Sequence, residues 1–367
     1  MSTSDLVANT SPAAADPPPP LAPGRIGVSD VERIEDATGA FRALDYRYGG
    51  GACHDAVVDC LPWGRRMLGG DATGLVMDRL FVAVADLHNL AGWTSFDTGQ
   101  LRVARAYFGR ALELAERGGD DALVANIRYR RGRVHLHHNA PDQALMEFQL
   151  GQVAAQACGC ALAVAILCAN QAWAYAKMGR DDQALALLGR SRDEFVRADL
   201  AEAPAWATFF TETDLCAMVG TVYTELAVSV DPTYTRSAIP ALATAINGYG
   251  PDMTRSRSFN LISLATNHLL DDDVDQAATV GAQAVAVCES VKTARTKDRL
   301  QPLKREADKR RNNADARALS KRIAMFTATR PGCCWTSAAP PPQPCTPSCE
   351  SPCQRVWRPQ TPSVPAA

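Results

Sequence analysis

The chain is 367 residues long, with 38 Lys and Arg against 40 Asp and Glu and an apolar share of 47%. A formal charge of −2 excludes the basic excess of a general nucleic-acid binder, and the apolar share is that of a globular chain with a sizeable core. Its start, MSTSDLVANTSPAAADPPPP, has neither the basic opening nor the apolar centre of a secretory signal, so a cytoplasmic protein is expected.

Residues 1–25 are rich in Pro and Ala, with Pro17 to Pro20 in a row, a composition that cannot build a core and reads as a disordered leader. Residues 26–70 read as a lead-in helical hairpin. Ser29 and Asp30 are placed to cap a helix carrying Val31, Ile34, Phe41 and Leu44 on one stripe, Gly49 to Gly51 break it, and a second helix runs from about His54 to Leu68. Residues 71–291 are repetitive. Leu90 to Asp120 forms two helices joined by a turn at Asp97 to Gln100, with Ala104 four residues before Phe108. The same step joins Ala144 to Phe148, Ala184 to Leu188 and Ala238 to Leu242, and Ala277 opens a fifth segment. Ala104, Ala144 and Ala184 are 40 residues apart. In the preceding helices Gly92, Gly132, Ala172, Gly220 and Ala265 share one slot, where small residues let two helix backbones approach.

The pattern matches the tetratricopeptide-type signature. It predicts an all-α, right-handed helical solenoid of about five hairpins, flanked by lead-in and capping helices. Pro204 is expected to open the fourth first helix, and the apolar run Ala157 to Ala169 is too short to span a bilayer and reads as a core helix, so no membrane partner is expected. Residues 292–330 hold a basic stretch, including Arg295, Arg299, Arg310 and Arg322, which reads as the solvated face of a capping hairpin in preference to a nucleic-acid or partner-binding helix. Residues 331–367 are rich in Pro, Ser and Cys without periodicity and read as disordered.

Cys345, Cys349 and Cys353 invite a metal site, but the tail has no His and no core to build a second shell. His135 and His138 share a helix face without a third ligand, so no metal and no cofactor is expected. Neither a phosphate-cradling Gly loop nor a nucleophile elbow appears, and the chain reads as a non-enzyme. A solenoid instead offers a concave face lined by its first helices. Counting from the shared small residue places Trp93, Phe96 and Asp97 there from the first repeat, and Asn126, Tyr129, Arg133 and His137 from the second. Trp173 and Lys177 follow from the third, then Asp214, Thr221 and Glu225 from the fourth. Such a mixture of rings, amides and charges suits an extended peptide or a segment of a partner protein. The competing reading makes Trp93 and Trp173 inter-repeat packing in a scaffold for complex assembly that binds no signal.

Four stretches carry a further resemblance: LDYRYGGG from Leu44, LAGWTSFDTGQLRVARAYFGRALELA from Leu90, APAWATFFTETDL from Ala203 and ATNHLLDDDVDQAATVGAQAV from Ala265. Together they resemble the C-terminal region of actinobacterial transcriptional regulators, in which an XRE-type helix-turn-helix domain precedes a tetratricopeptide-like one. The similarity spans about residues 26–325. It implies a regulatory or signalling role, with signal binding or self-association as a homodimer in the solenoid. The stretch before Ile26 is too short for that helix-turn-helix, so specific DNA binding by this chain itself is not expected.

Overall fold

The computed structural model describes residues 24–291 and 293–328; the leader before residue 24 and the tail from residue 329, with its cysteines, lie outside the described residues. Within them the chain forms fourteen α-helices, and one isolated bridge between Arg25 and Asp71 stands in place of any sheet. The lead-in pair is α1 (Val28–Tyr48) and α2 (His54–Met67). Five pairs follow: α3 (Gly74–Asp97) with α4 (Leu101–Gly118), α5 (Asp121–His137) with α6 (Pro141–Ala157), α7 (Ala161–Lys177) with α8 (Asp181–Arg197), α9 (Glu212–Ser229) with α10 (Thr235–Gly248), and α11 (Thr254–Leu270) with α12 (Val274–Glu289). The described part closes with α13 (Arg295–Lys309) and α14 (Ala314–Ala328).

Each pair is set by a close approach and a turn. A Cβ on Gly92 would lie 2.8 Å from the Phe108 ring, and one on Gly220 would lie 2.6 Å from Leu242. The small slot of the first helix thus receives the large residue four places after the repeat alanine, which is why the two recur in register. The turn recurs as well. Gly99, Asn139, Gly179 and Asp272 each adopt a left-handed φ between 55° and 83°, and each lies five residues before a repeat alanine. Gly, Asn and Asp are the residues that tolerate this conformation best. The fourth pair departs, because its turn is the short 3-10 segment Pro232–Tyr234 capped by Asp231.

First helices stand side by side, α3 beside α5, α5 beside α7, α7 beside α9 and α9 beside α11. At the centre of the row, α7 is buried on nearly every side from Leu162 to Ala174, as its apolar sequence requires. The row curves until its ends meet. α1 packs on α3 and also on α11, while α13 lies against α11 and α14 against α12.

Two segments differ from the sequence reading. The fourth first helix begins at Glu212, not at Pro204, because Thr211 and Asp214 form a capping box in which the Thr211 hydroxyl donates to Asp214 at 3.0 Å. Residues 203–211 are left as an irregular segment that buries Trp206 and Phe210. The basic stretch is also not wholly a solvated face. Arg295 is only 4% exposed and Arg299 is half-buried, since α13 turns both toward aromatic rings of the inner wall.

Candidate functional site

The curved row of first helices forms a partly open cavity of about 130 Å³, bordered by α13 and by the segment 203–211. Of the residues placed on the concave face from sequence, Trp93, Asn126, Tyr129, Arg133, Trp173, Asp214 and Thr221 line it. Inward projection follows from helix periodicity, since the slot that meets the paired helix fixes which neighbours face the other way. The other five hold α13 or brace the wall. Phe96 and Asp97 contact Arg295, His137 Nε2 lies 2.9 Å from Asp298 of α13, and Glu225 accepts from Trp173 Nε1 at 3.1 Å and from Lys177 Nζ at 3.4 Å.

Two arginines approach each tryptophan. Arg130 lies 5.4 Å and Arg295 4.6 Å from the Trp93 ring, and Arg133 4.9 Å and Arg299 4.8 Å from the Trp173 ring. Phe259 of α11 joins both α13 arginines, at 5.6 Å and 5.2 Å. Each desolvated contact of this kind contributes about 0.5–2 kcal/mol. The segment 203–211 adds rings of its own, with Trp206 stacked on Tyr129 at 6.5 Å and Phe209 on Tyr129 at 6.4 Å.

Behind the wall, buried ion pairs centred on Asp97 tie the ends of the row together. Asp97 is fully buried at the end of α3. It lies 2.8 Å from Arg255 Nη1 and 2.6 Å from Arg295 Nε, and it accepts from the Gly50 amide at 3.0 Å. Its backbone carbonyl accepts from the Ala294 amide at 2.8 Å. Arg255 also meets Asp45 of α1 at 2.8 Å. Gly50 is needed for this approach, because a Cβ there would fall 2.7 Å from the Asp97 Cβ. What reads in sequence as a plain helix breaker therefore presents an amide to a buried carboxylate.

Burial opposes the charge on Asp97, but Arg295, Arg255 and the Gly50 amide outweigh it and hold the carboxyl below its usual range. Burial likewise opposes the charge on Arg255, and Asp45 and Asp97 raise its pKa in spite of it. Arg299 moves the other way, pushed down to about 9 by burial and by the guanidiniums of Arg133 and Arg295, with Glu225 opposing. It remains a cation at neutral pH. His137 is pushed down to about 4 by burial and by Arg299, against the hydrogen bond that its ring donates to Asp298, and is therefore neutral.

The cavity wall holds five arginines and a single carboxylate, Asp214, whose carboxyl is raised by burial. It contains no His, Cys, Lys or Glu. Such a wall offers hydrogen-bond donors, positive charge and flat apolar faces, the equipment of recognition. Several of its members escaped the sequence reading. Tyr46 lies in LDYRYGGG, and Trp206, Phe209 and Phe210 lie in APAWATFF. Extending the count to the fifth repeat would have found Phe259, six residues before Ala265. Arg255, Arg295 and Arg299 have no such signal.

Among the described residues no three His, Cys, Asp or Glu side chains gather as metal ligands, and no helix is long and apolar enough to cross a membrane. No protein-family model and no curated protein matches the chain.

Proposed function

We propose that the chain is a regulatory recognition module of tetratricopeptide type, a right-handed solenoid whose inner face takes a peptide or a segment of a partner protein. This accords with a role in transcriptional signalling, as in the regulators the sequence resembles. The observation that carries the reading is α13 itself. It is a segment of chain lying on the inner face, with Arg295 and Arg299 set among the rings of Trp93, Trp173 and Phe259 and with Asp298 on His137. A surface that holds one segment by stacked guanidiniums and a backbone hydrogen bond has the means to hold another, and a competitor would act by displacing α13.

A second reading, a scaffold in which the same rings only join repeats, is favoured by the burial of Trp93 at 7% and Trp173 at 4% exposure. Arg133 and Lys177 separate the two, because both are half-buried and neither fills the core. Truncating recognition contacts typically costs binding of more than about 1 kcal/mol while the fold survives. In a pull-down, the Arg133→Ala, Lys177→Ala double variant is expected to keep its helical circular dichroism and lose partners that the unaltered chain recovers. Recovery of every partner at unchanged affinity would leave the scaffold reading standing.

A further inference from the structure

The inner cavity carries more positive charge than its own acids offset. Arg255 and Arg295 are paired with Asp45 and Asp97. Among the described residues, Arg130, Arg133 and Arg299 form no ion pair. Arg130 donates to the Asn89 carbonyl at 3.2 Å, Arg133 to the Tyr129 hydroxyl and Asn170, and Arg299 has only its stacked rings. Guanidiniums removed from water without a carboxylate are costly, and they bind a carboxylate through two parallel hydrogen bonds. A second, independent sign lies in the residues of the same wall. Trp206 Nε1, Asn260 Oδ1 and Arg295 Nη2 have no hydrogen-bond partner among the described residues, in side chains that are 5%, 6% and 4% exposed. Buried polar atoms are nearly always satisfied, so three in residues of this wall leave hydrogen-bonding capacity unspent beside the cavity, within reach of a small side-chain rotation.

The partly open space is about 130 Å³, near the roughly 150 Å³ of an apolar cavity that admits one benzene ring, so it has room for a single ring. Its wall includes the rings of Trp173, Tyr129 and Trp206, an aromatic lining that suits a planar ring more than an alkyl chain. Arg133 and Arg299 keep part of their surface exposed, which places the charged end of a ligand on their side and its ring inward.

We propose that this cavity is a binding site for a small aromatic carboxylate, a single ring whose carboxylate lies between Arg133 of α5 and Arg299 of α13. The inference deepens the reading of the inner face as the working surface, by naming a signal that fits while α13 is in place. Bound there, the carboxylate would offset two like charges that now face each other across α5 and α13, and so hold α13 down. A partner segment that needs α13 displaced would then meet resistance from the ligand.

The test is isothermal titration of the full chain with benzoate, benzamide and inorganic phosphate. Benzoate is expected to bind one site with saturable heat, and benzamide and phosphate at least about tenfold more weakly. Arg133→Gln and Arg299→Gln, each checked for retained helicity, are expected to weaken benzoate about tenfold or more and to leave benzamide unchanged. Arg299→Lys keeps a cation without the bidentate fork and should fall between, which gives a measurement even where Arg299→Gln does not fold. Absence of saturable benzoate binding up to about 10 mM, benzamide binding as tightly as benzoate, or phosphate doing so would each overturn the assignment. The pull-down with the Arg133→Ala, Lys177→Ala variant reads partner capture without benzoate, so a chain that recovers partners and binds no benzoate refutes this site while keeping the groove.

Discussion

At the scale of single residues, two buried histidines give the protein a pH dependence of definite sign. His88 is 2% exposed and is pushed down to about 4 by burial, although its ring hydrogen-bonds to the Val84 carbonyl at 2.8 Å. His137 is pushed to about 4 by burial and by Arg299. Both groups are neutral in the fold, while in the unfolded chain they take a proton near pH 6.5. Between those values the unfolded state binds more protons, so stability is complete above about pH 6.5 and declines as pH falls toward about 4. Asp214, raised by burial, works in the opposite direction over the carboxylate range. Each histidine contributes on the order of 2–3 kcal/mol across the window. Melting near pH 5 is therefore expected to occur well below melting near pH 7, with His88→Gln flattening the difference. Equal melting temperatures at the two pH values would refute it.

At the scale of elements, the hairpins were legible because the first three repeat at a step of 40 residues and all five carry the same small-residue and alanine marks. Ala104 with Phe108, and Gly92 opposite, announce a pair of helices whose backbones must touch. The test is Gly92→Ala, whose Cβ would fall 2.8 Å from the Phe108 ring. Forcing that contact in a packed core typically costs about 1–3 kcal/mol. Gly109→Ala is the control, since nothing lies within 4 Å of its Cβ in α4, and removing a helical glycine there is expected to stabilise by about 0.4–1 kcal/mol. Denaturant titration of the two variants should move the midpoint in opposite directions. The segment 203–211 was misread as helix because APAWATFF has apolar residues without a helical obligation. A capping box at Thr211 stops the helix, and the Trp206 and Phe210 rings gain more from the inner wall than from a further turn. The burial of Arg295 and Arg299 was illegible for a different reason. A basic helix has the same sequence whether its arginines meet water or tryptophan, and the partner that decides, Trp93 or Trp173, lies more than a hundred residues away.

At the scale of the whole molecule, closure of the row rests on two buried carboxylates, Asp45 and Asp97, of which Asp97 meets both Arg255 and Arg295. Asp97→Asn keeps the shape and removes the charge, leaving Arg255 with Asp45 and Arg295 with no anion within reach of its Nε. Breaking a buried pair from one side typically costs about 3–5 kcal/mol. Chemical denaturation is expected to show a loss of that order for Asp97→Asn, against less than about 1 kcal/mol for Arg79→Ala, whose partner Glu35 is an exposed surface acid. Comparable losses would mean that Asp97 does not hold the ends together. The joined ends bear also on how the protein comes apart. An open stack of repeats behaves as a line, fraying from either terminus with each unit held only by its neighbours. Here the contacts of Arg255 with Asp45 and Asp97 link residues 210 and 158 positions apart, so neither terminal hairpin can peel away without opening the joint. The line has become a loop: its slowest folding step is the meeting of those ends, and its amides should exchange with solvent through one common opening instead of a gradient from the tips inward.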